Sequence, residues 1–175
     1  MPCCASRVDR ILRACLRAVT AAFVAAALAA CGNENATILA ASVTPQSGTL
    51  DVNLQLALTP TLLDALDHGV PLTLIFKLDM DDGSSSARFR ELSYLPMTRR
   101  YRLLTDDGTA RYFQSRLQLL AALDHVRLPL ALPSGSGSVR LYLDTASLPA
   151  PLRLPALFDR DWHLAAARYH WTTQQ

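Results

Sequence analysis

Leu50-Asp51-Val52-Asn53-Leu54-Gln55-Leu56-Ala57-Leu58 is the stretch on which the fold turns. An aliphatic residue stands at every even position, and Asp, Asn, Gln and Ala stand between. A period of two over nine residues places one side of a strand in a core and the other in water. One-sided strands of this kind belong to antiparallel sheets, because buried parallel strands are apolar on both faces. Upstream, Thr37 to Thr44 reads as a first strand, and Pro45-Gln46-Ser47-Gly48 turns the chain into the second.

Downstream, Thr59-Pro60 opens a helix. Thr caps it and Pro takes the first helical position, where a missing N–H costs nothing. Leu62, Leu63 and Leu66 form its apolar stripe, and Gly69 follows its end. Leu72, Leu74, Phe76, Leu78 and Met80 share one face of the next strand. Asp81 to Ser86 is a turn by composition. Ala87 to Leu95 and Arg99 to Thr105 are strands joined at Pro96-Met97-Thr98, and Asp106-Asp107-Gly108 marks a hairpin into Thr109 to Gln114. Ser115 begins a second short helix with Leu117, Leu120, Ala121 and Leu123 as its inner stripe. Val126 to Gly137 reads as a loop, and Ser138 to Thr145 as a strand with Val139, Leu141 and Leu143 inward. Ser147 to Pro155, punctuated by Pro149, Pro151 and Pro155, reads as extended and non-helical. Leu164 to Thr173 is the last strand, with Tyr169, Trp171 and Thr173 on one face. The expected architecture is all-β: an antiparallel β-sandwich with two short peripheral helices. A single curved sheet with helices against it is the alternative.

The first 30 residues have a different character. Arg7, Arg10, Arg13 and Arg17 face a lone Asp9, and the uncharged run Ala18 to Ala30 follows. This is the three-part pattern of a secretory signal, too short for the about 20 apolar residues of a comfortable membrane span. Leu28-Ala29-Ala30-Cys31 resembles the bacterial lipoprotein box, in which the cysteine thiol receives a diacylglyceryl group and becomes the new N-terminus. An ordinary signal peptidase cut after the small residues of 25–29, or an uncleaved anchor, are the alternatives. The expected organisation is a signal peptide over 1–30, a polar tether over 31–36 and a single β-rich domain over 37–175.

Removing the signal changes the composition of what remains. Cys3, Cys4, Cys15 and Cys31 are all the cysteines of the 175 residues, so the domain holds no disulfide and no thiolate chemistry. The whole chain carries +2, but from residue 32 on 13 basic residues face 14 acidic ones. A near-neutral domain gives no electrostatic footprint for nucleic acid.

Motifs for chemistry are sparse. Asp79, Asp81 and Asp82 before Gly83 fail the spacing of a calcium loop and read as a solvated hairpin tip, as does Asp106-Asp107-Gly108. His68, His125, His163 and His170 form no i,i+4 pair, so no metal site and no cofactor is expected. No Gly-x-Ser-x-Gly elbow is present, and Ser134 to Ser138 alternates with Gly as a loop does. The candidate partner- or anion-binding residues are Arg88, Arg90, Arg100 and Arg102, with Arg99 beside them, on two strands joined by a tight turn. The plain alternative is a solvated sheet face. Trp162, Trp171 and Tyr169 either finish the core or form a platform.

Several segments resemble an exported bacterial family, domain of unknown function 4390. They are His68-Gly69-Val70-Pro71-Leu72 after a short helix, and Leu92-Ser93-Tyr94 running through Leu95-Pro96-Met97-Thr98-Arg99-Arg100-Tyr101. Leu143-Asp144-Thr145, Leu148-Pro149-Ala150-Pro151-Leu152, Ala156-Leu157, Asp161-Trp162 and Trp171-Thr172 complete the likeness, over roughly 36–173. The resemblance implies export in proteobacteria, no established activity or catalytic residue, and genes near a membrane sensor kinase and its response regulator. Relatives commonly carry a Trp- and Arg-rich insertion where this chain has only Asp81 to Ser86, and mostly an ordinary signal peptide. The expected function is a non-enzymatic binding or accessory protein of the bacterial envelope, lipid-anchored at Cys31 or free in the periplasm, with a sensor kinase as the candidate partner. An envelope hydrolase with a dispersed site and a structural or assembly lipoprotein are the alternatives.

Overall fold

The computed structural model describes residues 35–44, 48–130 and 136–172. The expected signal, Cys31 and most of the tether fall outside these, as do Pro45 to Ser47, the Ser134-Gly135 part of the Ser/Gly stretch, and Thr173. Strands β1 (Ala36–Thr44), β2 (Thr49–Leu56), β3 (Leu72–Met80), β4 (Ser85–Leu95), β5 (Arg100–Thr105), β6 (Ala110–Phe113), β7 (His125–Pro129), β8 (Gly137–Leu143) and β9 (Tyr169–Trp171) carry the fold. Helix α1 (Pro60–Asp67) follows β2, α2 (Arg116–Ala121) follows β6, and α3 (Ala150–Phe158) lies between two 3-10 turns, Thr145–Ser147 and Arg160–Trp162.

The strands form two antiparallel sheets, β1-β2-β7 and β6-β5-β4-β3-β8-β9. Both contribute to one hydrophobic cluster, with Leu50, Val52, Leu54, Val126 and Leu128 from the smaller sheet and Leu72, Leu74, Phe76, Leu78 and Leu92 from the larger. The fold is thus an all-β, sandwich-like arrangement with a few short helices. In β2 the residues of period two behave as their chemistry requires: Leu50, Val52 and Leu54 are buried while Asn53 and Gln55 face out.

Strand β1 breaks that period. Ala36 and Ile38 are buried, yet the next residues packed on the core are Ala41 and Val43. The register explains it. Ile38 pairs with Leu54 and Ala40 with Asn53, so Leu39 is an extra residue bulged out of the ladder. The bulge resets the phase and leaves Leu39 exposed.

Helix α1 begins as its sequence predicts. The Thr59 hydroxyl accepts from Leu62 N at 3.2 Å, Pro60 occupies the first turn, and Gly69 takes φ +84° beyond the C-cap. Asp67 then fastens this helix to its neighbours: Tyr101 Oη donates to one carboxylate oxygen at 2.7 Å and Arg116 Nη1 to the other at 2.5 Å.

Four expectations need correction. Residues 125–129 form strand β7 where a loop was expected. Val126 and Leu128 alternate inward, and Pro129 is tolerated because β7 is an edge strand. Residues 150–158 are helical where an extended segment was expected. Pro151 falls in the first turn, where no N–H is needed, and Pro155 removes one interior bond. Burial of Leu148, Ala156 and Trp162 offsets that loss, so three short α-helices are present among the described residues instead of two. Helix α2 buries Leu119 and exposes Leu117, which the expected stripe had inward, whereas Leu120 and Leu123 of that stripe do pack on the core. The last strand shrinks to three residues, preceded by single bridges at Ala165 and Ala166.

Candidate functional site

The arginines of the β4–β5 hairpin do not form one surface. Strand alternation sends Arg88 and Arg90 to the same face as buried Leu92, and cross-strand register sends Arg100 and Arg102 to the opposite face with Glu91 and Ser93. Arg102 is held there by Glu91 Oε1 at 2.7 Å and the Ser93 hydroxyl at 3.1 Å. Arg100 is exposed and lines a shallow groove with Leu95, Thr98 and Tyr112. The residue before it, Arg99, takes φ +52° to close the turn.

Arg90 is buried, and its guanidinium makes three hydrogen bonds. It donates to Phe89 O at 2.8 Å, to Arg127 O at 2.9 Å and to Asp106 Oδ1 at 2.5 Å. Arg88 reaches Asp106 at 3.5 Å and Pro129 O at 3.4 Å. Both arginines therefore cross from the large sheet to carbonyls of β7 in the small one. Their role is to join the sheets, and the expectation that all four arginines bind a ligand together is corrected by strand geometry.

Beside this junction lies a cavity of about 310 Å³. Leu103 from β5, Leu123 after α2 and Val126 from β7 give it apolar walls. Arg90, Arg111, His125 and Arg127 make its polar part. Arg127 Nε lies 3.2 Å from Asp51 Oδ1, and His125 Nε2 lies 3.5 Å from the same oxygen, distances of ion pairing without hydrogen-bond alignment. The His125 ring is also fixed by Asn53 Oδ1 at 2.6 Å from Nδ1. Arg111 stacks over the Phe113 ring at 5.3 Å and has no carboxylate within ion-pair distance among the described residues. Exposed basic side chains beside a cavity that is part apolar and part polar suit a group that is anionic at one end and greasy at the other.

Other constellations resolve into structure. The Thr44 hydroxyl donates to Asp51 Oδ2 at 2.7 Å, so the carboxylate stands next to the hydroxyl and the imidazole lies beyond it. A nucleophilic triad needs the imidazole in the middle. His68 bonds Asp64 O at 2.8 Å at the end of α1, and His163 lies 3.2 Å from Ala156 O. Among the described residues no three metal-ligating side chains converge. At the hairpin tips, a hydrogen bond from Ser84 lowers the pKa of Asp82, and hydrogen bonds from Thr105 and Thr109 lower that of Asp107. Those carboxylates brace turns. Trp162 and Trp171 are buried core residues, so they offer no platform.

Sequence reasoning found Arg90 but missed Arg111, His125 and Arg127. Their meeting depends on β7 lying beside the β5–β6 edge, and β7 was hidden in proline-bearing sequence. No local spacing signals a site assembled across two sheets.

Fold and cavity together define a class: a two-sheet antiparallel β domain with a cavity lined by both apolar and basic side chains. The chain belongs to the family described as Domain of unknown function (DUF4390), whose model matches residues 33–172. No curated protein matches the chain, and no solved structure does. No helix among the described residues is long and apolar enough to cross a membrane.

Proposed function

We propose that this protein is an exported, non-enzymatic binding component of the bacterial envelope, and that it holds an anionic group of its partner at the rim formed by Arg111, His125 and Arg127. The observation that carries the reading is Arg111: an exposed cation lining the cavity, held by an aromatic face and without a carboxylate partner among the described residues. Export rests on the basic segment, the apolar run Ala18 to Ala30 and the box ending at Cys31. A membrane sensor kinase is the partner that the family's gene context favours.

Crosslinking in intact cells tests the binding. The wild-type protein is expected to yield a specific adduct that Arg111→Glu lacks, while the stability of the variant changes by no more than about 1 kcal/mol, since exposed Arg111 loses only its contact with the Phe113 ring. An adduct of equal yield from both proteins overturns the cavity assignment. A folded wild-type protein that yields no adduct counts against the binding function itself.

A further inference from the structure

Exposed apolar side chains are scattered over this domain except on one element. Leu154, Leu157 and Phe158 of α3 are 67%, 60% and 85% exposed. Their spacing of i, i+3 and i+4 puts them on a single stripe of the helix. The opposite side of α3 is anchored by Ala156, which is fully buried. The stripe is therefore presented outward by a fixed helix and is covered by nothing among the described residues.

The start of the domain lies close to this helix. Asn35 Nδ2 donates to His163 O at 3.2 Å, and Ala36 bridges Ala166. Thr59 Oγ1 donates to Asp161 O at 2.5 Å, which holds the 3-10 turn after α3 in the same place. Asn35 stands four Cα–Cα steps along the chain from Cys31. Fully extended, they span at most about 14 Å. A chain held in a membrane at Cys31, or by the apolar run before it, keeps this end of the domain within that reach of the bilayer.

We infer that the Leu154–Leu157–Phe158 face of α3 rests in the lipid surface beside the N-terminal anchor. The inference rests on the anchored reading of the N-terminus. It adds that the domain is oriented on the membrane by a second contact and does not swing freely on a tether. Arg153 and Arg160 around the stripe are matched by Asp159 and Asp161, so the contact is apolar in character and independent of lipid charge.

The test uses the full chain, purified from membranes of producing cells and reconstituted in phosphatidylcholine vesicles whose acyl chains carry bromine. Flotation with the vesicles reads the anchor. Tryptophan quenching reads the face, because native Trp162 and Trp171 are only 6% and 3% exposed and serve as an unquenched background. The added fluorescence of Phe158→Trp is expected to fall about twofold, since an interfacial helix buries its apolar face about 5–10 Å deep. Tyr112→Trp, on edge strand β6, is expected to keep its emission. Leu154→Trp is the second reporter should Phe158→Trp misfold. Floating protein with reporters on α3 quenched no more than Tyr112→Trp overturns the inference and leaves the anchor standing. Protein that does not float overturns both.

Discussion

At the residue scale the decisive side chain is Arg90. It is a buried charge with a carboxylate and two carbonyls, one of them on the opposite sheet. Arg90→Ala leaves the two carbonyls without this donor and Asp106 with Arg88 alone at 3.5 Å, so the loss approaches the about 3–5 kcal/mol of breaking a buried pair. The urea midpoint should fall accordingly with an unchanged m-value, and Arg90→Lys should recover little because a single ammonium nitrogen cannot span the acceptors that Nη1 and Nη2 reach separately. Tyr101 makes a second prediction. Burial, and then its bond to Asp67, push its pKa up to about 12 from 10.0. A proton held more tightly in the folded state stabilises the fold below pH about 10, and that stability is lost as pH rises from 10 towards 12. Alkaline unfolding monitored by circular dichroism should be steep in this window for the wild type and flatter for Tyr101→Phe, which itself should cost about 1 kcal/mol at neutral pH. The sequence showed these arginines as a cluster but not which way each points. Two consecutive strands carry Arg88, Arg90, Arg100 and Arg102, and only the register of Leu92 with Leu103 assigns the first two to the core side and the last two to the other.

At the element scale, β1 and β9 carry the sharpest consequences. Leu39 is an inserted residue, so deleting it restores plain alternation and keeps Ala36, Ile38, Ala41 and Val43 inward. The deletion should change stability by no more than about 1 kcal/mol, whereas deleting Ala41 turns Val43 out of the core and should destabilise by several times as much. At Gly137 a Cβ would stand 2.6 Å from Asp79 O and 2.9 Å from Trp171 Cζ2. Backbone cannot yield there. Gly137→Ala should therefore cost about 1–3 kcal/mol and push β9 away, visible as a red shift of Trp171 emission. Legibility differed among elements for physical reasons. Strands β2, β3 and β8 announce themselves because one face meets the core along their full length. Helix α1 carries a Thr cap, a first-turn proline and a terminal glycine, each with a local cause. Helix α3 was illegible because three prolines outweigh helix propensity in any local reading, and the contacts that hold it are to Leu148 and Trp162, outside the helix.

At the scale of the whole molecule, the chain reads as two parts with separate chemistries. The N-terminal segment holds all the cysteines and four arginines against one carboxylate; the β domain holds neither thiols nor a net positive charge. The lipid reading predicts an acyl mass on the mature protein that Cys31→Ser abolishes, measured as intact mass; an unacylated wild type would overturn it and leave the ordinary signal peptidase cut or the uncleaved anchor. That the fold is two antiparallel sheets was legible from periodicity and hairpin signals. The pairing of β7 with β2 and the cavity it closes were not, because they depend on contacts between residues more than 70 positions apart, as between Asn53 and His125. The crossing arginines have one more consequence. Arg127 O and Pro129 O lie on β7, an edge strand, and an edge with free carbonyls is a template on which a second chain can add a strand. Here guanidinium groups of Arg90 and Arg88 occupy those carbonyls. The bulge at Leu39 interrupts the other edge of that sheet, and β6 and β9 offer four and three residues. A sheet protein with open edges is exposed to pairing with its own copies. This one has its edges closed against polymerising into a shared sheet, by the same side chains that hold its own two sheets together.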